Sequence, residues 1–484
     1  MVMMNEDPTT LVPELALLFG AVLALLVGTW TPRRRQGRVR VLALVAVGVG
    51  LVGTVVAATK PPSSTFDTYV LDTTTHAVRA TILVAVALIL WFSRDAVAAH
   101  PRESEFTALV LLGGLGAVLM AGASDLLLLF AAFLLASVPL YALAGWAKTG
   151  ATTEAALKYY LSGAFAGVTM ISGTTLLYGA TGTTSYAMLP EGLMTGAAMP
   201  AAVGIVALLA GLAFKAGAVP AHFWVPDVTD GTPPPVAAVL TTIPKVGALA
   251  AMWRLLATAV PEAVVPWPLI VAVLAALSMT LGNLAAFAQT SVLRLLAYST
   301  VSQVGYLLVI VAVGARTPDA LPALLFYLAA YAVTNVGAFA VVAAHPARTI
   351  EDFRGLGRRR PLLAVALVVC LLGLVGTPPT AVFVGKLTAF TAAFDGGMAW
   401  LAVLAAVNTV ASLFYYLRWI APAFREASDI EAVLTTGARS QSDAVVDGHG
   451  EAPWAASAAV AAAILSLVLG VAAGIVLPLL NAPA

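Results

Sequence analysis

The feature that most limits what this chain can fold into is a succession of apolar runs, each as long as a bilayer's hydrocarbon core is thick. A spanning helix needs about 20 consecutive apolar residues, because in hydrocarbon each backbone amide must be satisfied within its own segment. Fourteen such runs are read from the 484 residues, at roughly 11–30, 41–59, 77–93, 106–122, 125–146, 155–178, 200–224, 234–258, 264–287, 292–314, 321–344, 362–392, 397–420 and 455–480. They predict an all-α polytopic membrane protein with about 14 transmembrane helices. Composition agrees: 61% of residues are hydrophobic and 10% charged, where a soluble domain is about half apolar and a quarter charged. The start, MVMMNEDPTT, is acidic and has no basic n-region or clear cleavage site, so the first run is expected to be a retained helix.

The side chains exclude several chemistries. A net charge of +1 argues against a nucleic-acid partner. The single cysteine, Cys370, can form neither an internal disulfide nor a metal cluster. The five histidines are scattered and lack metal-ligand spacing. Any redox cofactor is therefore expected on another subunit.

Basic residues fix the expected orientation. Arg33, Arg34, Arg35, Arg38 and Arg40 follow the first helix, and Arg348, Arg354, Arg358, Arg359 and Arg360 follow the eleventh. Arg94, Arg102, Lys148, Arg294, Arg425 and Arg439 fall on the same side, while the opposite loops hold little beyond Lys60 and Arg316. Loops after odd helices are thus expected in the cytoplasm and both termini outside. The longest polar loop, about 425–454, reads as a flexible connector.

Within this frame the stretch FKAGAVPAHFWVPDVTDGTPPPVAAVLTTIPK, residues 214–245, stands apart. It sets Lys215 and Lys245 in apolar surroundings beside Pro220 and Pro244. A charge at membrane depth costs about 2.5–3.5 kcal/mol on insertion scales and is usually functional. Proline removes a donor and frees a carbonyl, which a membrane tolerates only where protein or water satisfies it. Only six of the 25 basic residues are lysine, and Lys215, Lys245 and Lys386 lie well inside apolar helices. Lysine can lose its proton when desolvated, whereas arginine effectively cannot. A proton relay therefore calls for lysine. Snorkelling to the interface is the competing account for a lysine near a helix end. It applies best to Lys158, which also has ordinary salt-bridge spacing to Glu154.

Weaker signals read structurally. GVGLVG at 48–53 matches a dinucleotide-loop pattern but lies within a membrane helix, where small residues pack helices. His222 and Asp227 have no activated nucleophile and are expected to cap or line a helix break. Arg254 and Arg418 read as interfacial anchors. Asp125 suits a helix N-terminus.

Helices seven and twelve both look broken, around Pro220 and at GTPPT (376–380), and each carries one lysine. This suggests two five-helix repeats of inverted topology. The expected division is 1–105 as an N-terminal three-helix segment, 106–258 as the first repeat (helices four to eight), 259–424 as the second (nine to thirteen), and 425–484 as polar loop and last helix.

Residues 214–245 resemble the central motif of the antiporter-like subunits of respiratory complex I. Further stretches narrow the resemblance to subunit N of NADH-quinone oxidoreductase: PELALLFGA (13–21), EAALKYYLSGA (154–164), RLLAYSTVSQVGYLL (294–308), FYLAAYAVTNVGAFAVV (326–342), EDFRGLGRRRPLLA (351–364), LVGTPPTAVFVGKL (374–387) and NTVASLFYYLRW (408–419). The resemblance covers nearly the whole chain in order. It implies a subunit of a proton-translocating enzyme whose pumping is coupled to quinone reduction elsewhere. Carried over by motif, Lys215 is the seventh-helix lysine, Lys245 the central eighth-helix lysine and Lys386 the exit-side lysine. Lys158, beside Glu154, matches the sixth-helix lysine, and His222 a histidine near the break. NADH, FMN, iron–sulfur clusters and quinone are implied on partner subunits, with no cofactor on this chain. The implied partners are other membrane-arm subunits, antiporter-like ones among them, and the implied location is the inner or plasma membrane.

Two positions depart from the family pattern. The fifth-helix glutamate that pairs with the seventh-helix lysine aligns with Leu134, and Asp125 is nine residues away, about 13 Å along a helix. The tenth-helix position that is often histidine is Gln303, which does not titrate. The first departure leaves open a weakly pumping paralogue with an assembly role. A subunit of a multi-subunit cation/proton antiporter or membrane hydrogenase is the further alternative.

Overall fold

Helices form where the apolar runs lie, and polar or proline-containing stretches end them. The structure, a computed structural model, describes residues 7–98, 100–345, 347–425 and 452–481. Most of the expected connector, with Arg439 and His449, lies outside the described residues. Numbered as membrane crossings, the helices are 1 (Val12–Trp30), 2 (Gly37–Ala58), 3 (Thr73–Phe92), 4 (Glu103–Gly122), 5 (Leu126–Leu135 with Val138–Ala144), 6 (Gly150–Thr181) and 7 (Ala198–Ala216 with Trp224–Gly231). Then follow 8 (Pro234–Arg254), 9 (Trp267–Phe287), 10 (Val292–Ala312), 11 (Ala320–Ala344), 12 (Pro361–Val375 with Ala381–Asp395), 13 (Ala399–Phe424) and 14 (Pro453–Val471). Among the described residues, 13 helices are long and apolar enough to cross a membrane. Helix 12, in two pieces, supplies the remaining crossing.

Burial ranks these helices. The apolar windows of helices 8, 10 and 11 are each 94% buried, while that of helix 2 is 28% buried. The central three are therefore shielded from lipid on nearly every side, which makes them the place where polar groups can be kept. Close approach depends on small residues. A Cβ on Gly247 of helix 8 would lie 2.4 Å from the Ala117 carbonyl oxygen of helix 4. Two of the three GVGLVG glycines serve packing as expected, a Cβ at Gly53 meeting Val12 at 2.7 Å and one at Gly50 meeting Leu83 at 3.2 Å, while Gly48 faces open space.

Helices 7 and 12 are broken as the prolines predict, and the breaks share a local form. Gly217 ends the first half of helix 7 at φ 76° and Gly376 that of helix 12 at φ 90°, each three residues before a cis proline, Pro220 or Pro379. Helix 8, by contrast, runs unbroken through Pro244. Helix 5 carries a third interruption that the sequence reading missed. Pro139 has no N–H, and the Leu140 and Tyr141 amides both turn to the Ser137 carbonyl, at 3.0 and 2.9 Å. The Ala136 carbonyl is thereby released from the helical ladder.

A second departure from the expected all-helical chain is a small hairpin, Ser63–Thr65 paired antiparallel with Tyr69–Leu71. It carries Tyr69 to the end of helix 1, where the Tyr69 hydroxyl donates to Glu14 at 2.6 Å. Arg79 of helix 3, fully buried, grips the same carboxylate with Nε and Nη2, both at 2.7 Å.

Arg254 corrects the expectation of an interfacial anchor. It is buried and forms a two-pronged pair with Asp72, at 2.7 and 2.8 Å, while its Nε donates to the Ala121 carbonyl at 2.8 Å. It thus locks the adjoining ends of helices 3, 4 and 8 together. Arg418 stays exposed and donates to the Phe287 and Gln289 carbonyls, tying helix 13 to the end of helix 9. Removing one partner of a buried pair strands the other charge at a cost of about 3–5 kcal/mol. Asp72→Asn should therefore lower the thermal stability of the purified assembly clearly, which a melting curve against the native protein checks.

Candidate functional site: the buried lysine axis

Three lysines reach the interior: Lys215 and Lys245 are 0% exposed and Lys386 is 2% exposed. Each is held by neutral groups. Lys215 sits in the last turn of the first half of helix 7, where the helix dipole favours a cation. Its Nζ donates to the Ala136 carbonyl at 2.5 Å and to Ser137 Oγ at 2.7 Å, both in the gap of helix 5. The rings of Phe133 and Tyr159 flank it at 5.3 and 5.9 Å. Lys386, in the second half of helix 12, donates to the Val375 carbonyl at 2.9 Å, at the end of the first half, and lies 3.9 Å from the Tyr306 ring centre. Lys245 donates to Thr300 Oγ1 of helix 10 at 3.1 Å.

The glycines at the breaks make room for these lysine side chains. A Cβ on Gly217 would meet Lys245 Nζ at 2.8 Å, and one on Gly376 would meet Lys386 Cδ at 3.0 Å. The break in helix 7 is thus packed onto the lysine of helix 8, and the break in helix 12 onto its own lysine.

Helix 10 joins the last two lysines. Thr300, Gln303 and Tyr306 are spaced three apart, so they line one face, and about 9 Å separates the first from the last along the axis. Thr300 meets Lys245 and Tyr306 meets Lys386. Gln303 stands between them, donating to the Leu374 carbonyl at 2.7 Å and accepting from Tyr327 at 2.7 Å. Its amide is therefore fixed at both ends. Thr409 continues the contact, 3.5 Å from Lys386 and donating to the Tyr306 hydroxyl at 3.2 Å. Thr300, Tyr306, Thr409 and Ser137 were missed in the sequence. The three-residue spacing in STVSQVGY was the available signal for the helix 10 pair.

The remaining expected residues lie elsewhere. His222 is half-buried in the turn between the halves of helix 7, and its Nδ1 has no partner among the described residues. Lys158 is 46% exposed along its side chain and pairs with Glu154 at 2.8 Å and Asp227 at 2.9 Å. Asp227 also receives Arg294 at 3.0 Å, so it belongs to this rim cluster and is not paired with His222. Leu134 is 39% exposed on the outer side of helix 5, whereas Phe133 and Ser137 are buried toward Lys215. Among the described residues, no group of three or more His, Cys, Asp or Glu is placed to hold a metal ion.

Residues 123–412 match the family model described as NADH:quinone oxidoreductase/Mrp antiporter, TM. A Streptomyces griseus protein named NADH-quinone oxidoreductase subunit N 1 is 62% identical, over 99% of this chain and 98% of its own length. The chain belongs to the subunit N family of NADH-quinone oxidoreductase. The family's fold extends through solved structures. A chain of respiratory complex I from Thermus thermophilus superposes with a TM-score of 0.80 at 35% identity, covering 96% of this chain and 98% of that one. A chain of the Mrp complex from a Dietzia species reaches a TM-score of 0.81 at 23% identity over 99% of this chain and 97% of its own, which is likeness of fold alone.

Gly217→Ala tests the packing of the axis. Leaving glycine in the left-handed region costs about 1–2 kcal/mol, and the added methyl displaces the Lys245 ammonium. The variant should melt at lower temperature than the native protein and disturb Lys245 before Lys215.

Proposed function

We propose that this chain is a membrane-arm subunit of a proton-pumping NADH-quinone oxidoreductase, moving protons along the membrane midplane while quinone is reduced on other subunits. The helix 10 face supports this reading: on one buried face Thr300 meets Lys245, Tyr306 meets Lys386, and Gln303 lies between them. An ammonium held by neutral oxygens can give up its proton without stranding a carboxylate. Lys215, Lys245 and Lys386 are the exchanging sites, His222 lines the break, and Lys158 with Glu154 serves the charged rim. Residues 106–258 and 259–424 are the paired, inverted units. NADH, FMN, iron–sulfur clusters and quinone belong to partner subunits, and other antiporter-like subunits flank the chain. The location is the inner or plasma membrane, with basic loops in the cytoplasm and both termini outside.

Lys245→Ala should bring proton translocation by the assembled complex in vesicles down to background, since no other buried lysine touches Thr300. Normal pumping in that variant would sink the relay assignment. Sidedness is checked by a cysteine placed at the exposed Arg34 or Asn481 and labelled with an impermeant maleimide. Cys370 is fully buried, so native background should be low. Label reaching Arg34→Cys from outside intact cells would reverse the orientation.

A second reading, a weakly pumping subunit kept for assembly, is favoured by the neutral cradle of Lys215, with Leu134 at the position where the family resemblance implies a glutamate. Leu134→Glu separates the two. On the pumping reading the native complex pumps and the glutamate adds little; restored pumping from a weak native level would establish the second.

A further inference from the structure

Two packed helices begin together on the face of the basic loops. The first half of helix 12 starts at Pro361, directly after Arg358, Arg359 and Arg360, and helix 14 starts at Pro453. The Ala455 amide donates to Asp95 at 2.8 Å, which ties the start of helix 14 to the loop after helix 3. Between the two helices runs an open groove of about 490 Å³, whose walls include Arg360, Leu362, Leu363, Ala456, Ser457 and Val460. Sites for small ligands span about 300–1,000 Å³.

The groove is apolar along its length and cationic at its mouth. One turn further into the membrane Val365 follows Leu362 and Ile464 follows Val460, and both are exposed. Its apolar wall thus continues toward the lipid tails. At the mouth, Arg360 Nη1 donates to the Ala344 carbonyl at 2.6 Å, at the end of helix 11. That bond fixes the guanidinium and leaves the rest of its donor fork for another acceptor. Trp454 stands one turn before Ser457, and the Arg94 guanidinium lies 3.9 Å from its ring centre. Neither Arg360 nor Arg94 forms an ion pair among the described residues. The occupant must therefore join an anion to a long apolar tail. Inorganic phosphate has no tail for the groove, and an apolar helix of a partner subunit brings no anion to the arginines. A phospholipid with net negative charge supplies both, and basic pockets between membrane helices are known to take such headgroups.

We infer that the groove between helices 12 and 14 binds one anionic phospholipid. Its phosphate lies at Arg360, with Arg94 as the second cation of the mouth, and an acyl chain runs along Leu362, Leu363 and Val460. The lipid then bridges helices 11, 12 and 14 on the face of the basic loops. This site is independent of the lysine relay and of whether the chain pumps.

The test uses the assembled complex in vesicles and two photoreactive probes with the same diazirine-bearing acyl chain, one a phosphatidylglycerol and the other a phosphatidylcholine. After illumination, labelling is read by peptide mass spectrometry at residues 361–365 and 456–464. The phosphatidylglycerol probe should label them at least about fivefold more, the factor that one arginine gives near an anionic headgroup. Arg360→Gln keeps a donor for the Ala344 carbonyl and removes the charge, so it should lower that preference about fivefold. Arg33→Gln, on the same face and outside the groove, should leave it unchanged. Equal labelling by both probes in the native complex overturns the inference, and that comparison needs no variant. A preference untouched by Arg360→Gln, or lowered as much by Arg33→Gln, overturns it too, because the surface and not the groove would then attract the lipid. Unlabelled phosphatidylglycerol should compete the probe away; displacement by inorganic phosphate alone, or a partner subunit's helix seated in the groove in a cryo-electron microscopy map, rules the lipid out.

Discussion

Everything in this interior follows from the difficulty of placing an ammonium group where there is no water to solvate it. Among the described residues the usual remedy, a carboxylate partner, is absent from all three buried lysines. Broken helices supply oxygen instead for two of them. The gap in helix 5 releases the Ala136 carbonyl to Lys215, and the break in helix 12 brings the Val375 carbonyl to Lys386. An intact helix would keep those carbonyls in its own ladder. The breaks are tolerated because the oxygens they release are satisfied by protein. Lys245, on an unbroken helix, turns to a hydroxyl on helix 10.

Arginine and lysine divide the interior between them. Arg79, Arg254 and Arg40 are buried against Glu14, Asp72 and Glu103. These pairs join helices 1 to 3, 3 to 8 and 2 to 4, and arginine's permanent charge makes such ties lasting. The lysines take neutral partners and sit where helices break or where helix 10 presents polar groups. One set of cations holds the N-terminal helices to the body; the other lines its centre.

Much of this was legible in the sequence, and the limits are physical. Run length gave 14 crossings because hydrocarbon thickness leaves little choice. Proline with glycine marked the breaks in helices 7 and 12. Pro139 in ASVPLY gives helix 5 a proline without glycine, a weaker signal for a break. Pro244 shows the opposite: a proline inside a helix does not always break it. The buried ion pairs were beyond reach because their partners stand far apart in sequence, 65 residues for Glu14 and Arg79 and 182 for Asp72 and Arg254. Arg254 looked like an anchor because its place near a helix end is visible in the sequence and its carboxylate is not. The roles of the site residues depend on partners that only the folded chain brings near.

Helix 6 is 32 residues long, about 48 Å, whereas the hydrocarbon core is about 30 Å thick. Its first turns carry Glu154 and Lys158, whose side chains are 67% and 46% exposed. Ions screen charges over about 8 Å at physiological ionic strength. Added salt thus weakens the tie that Lys158 and Arg294 make to Asp227, and with it the hold of helices 6 and 10 on the second half of helix 7. The lysine contacts deeper in the protein are closed to the same ions, so the rim softens with salinity while the centre does not.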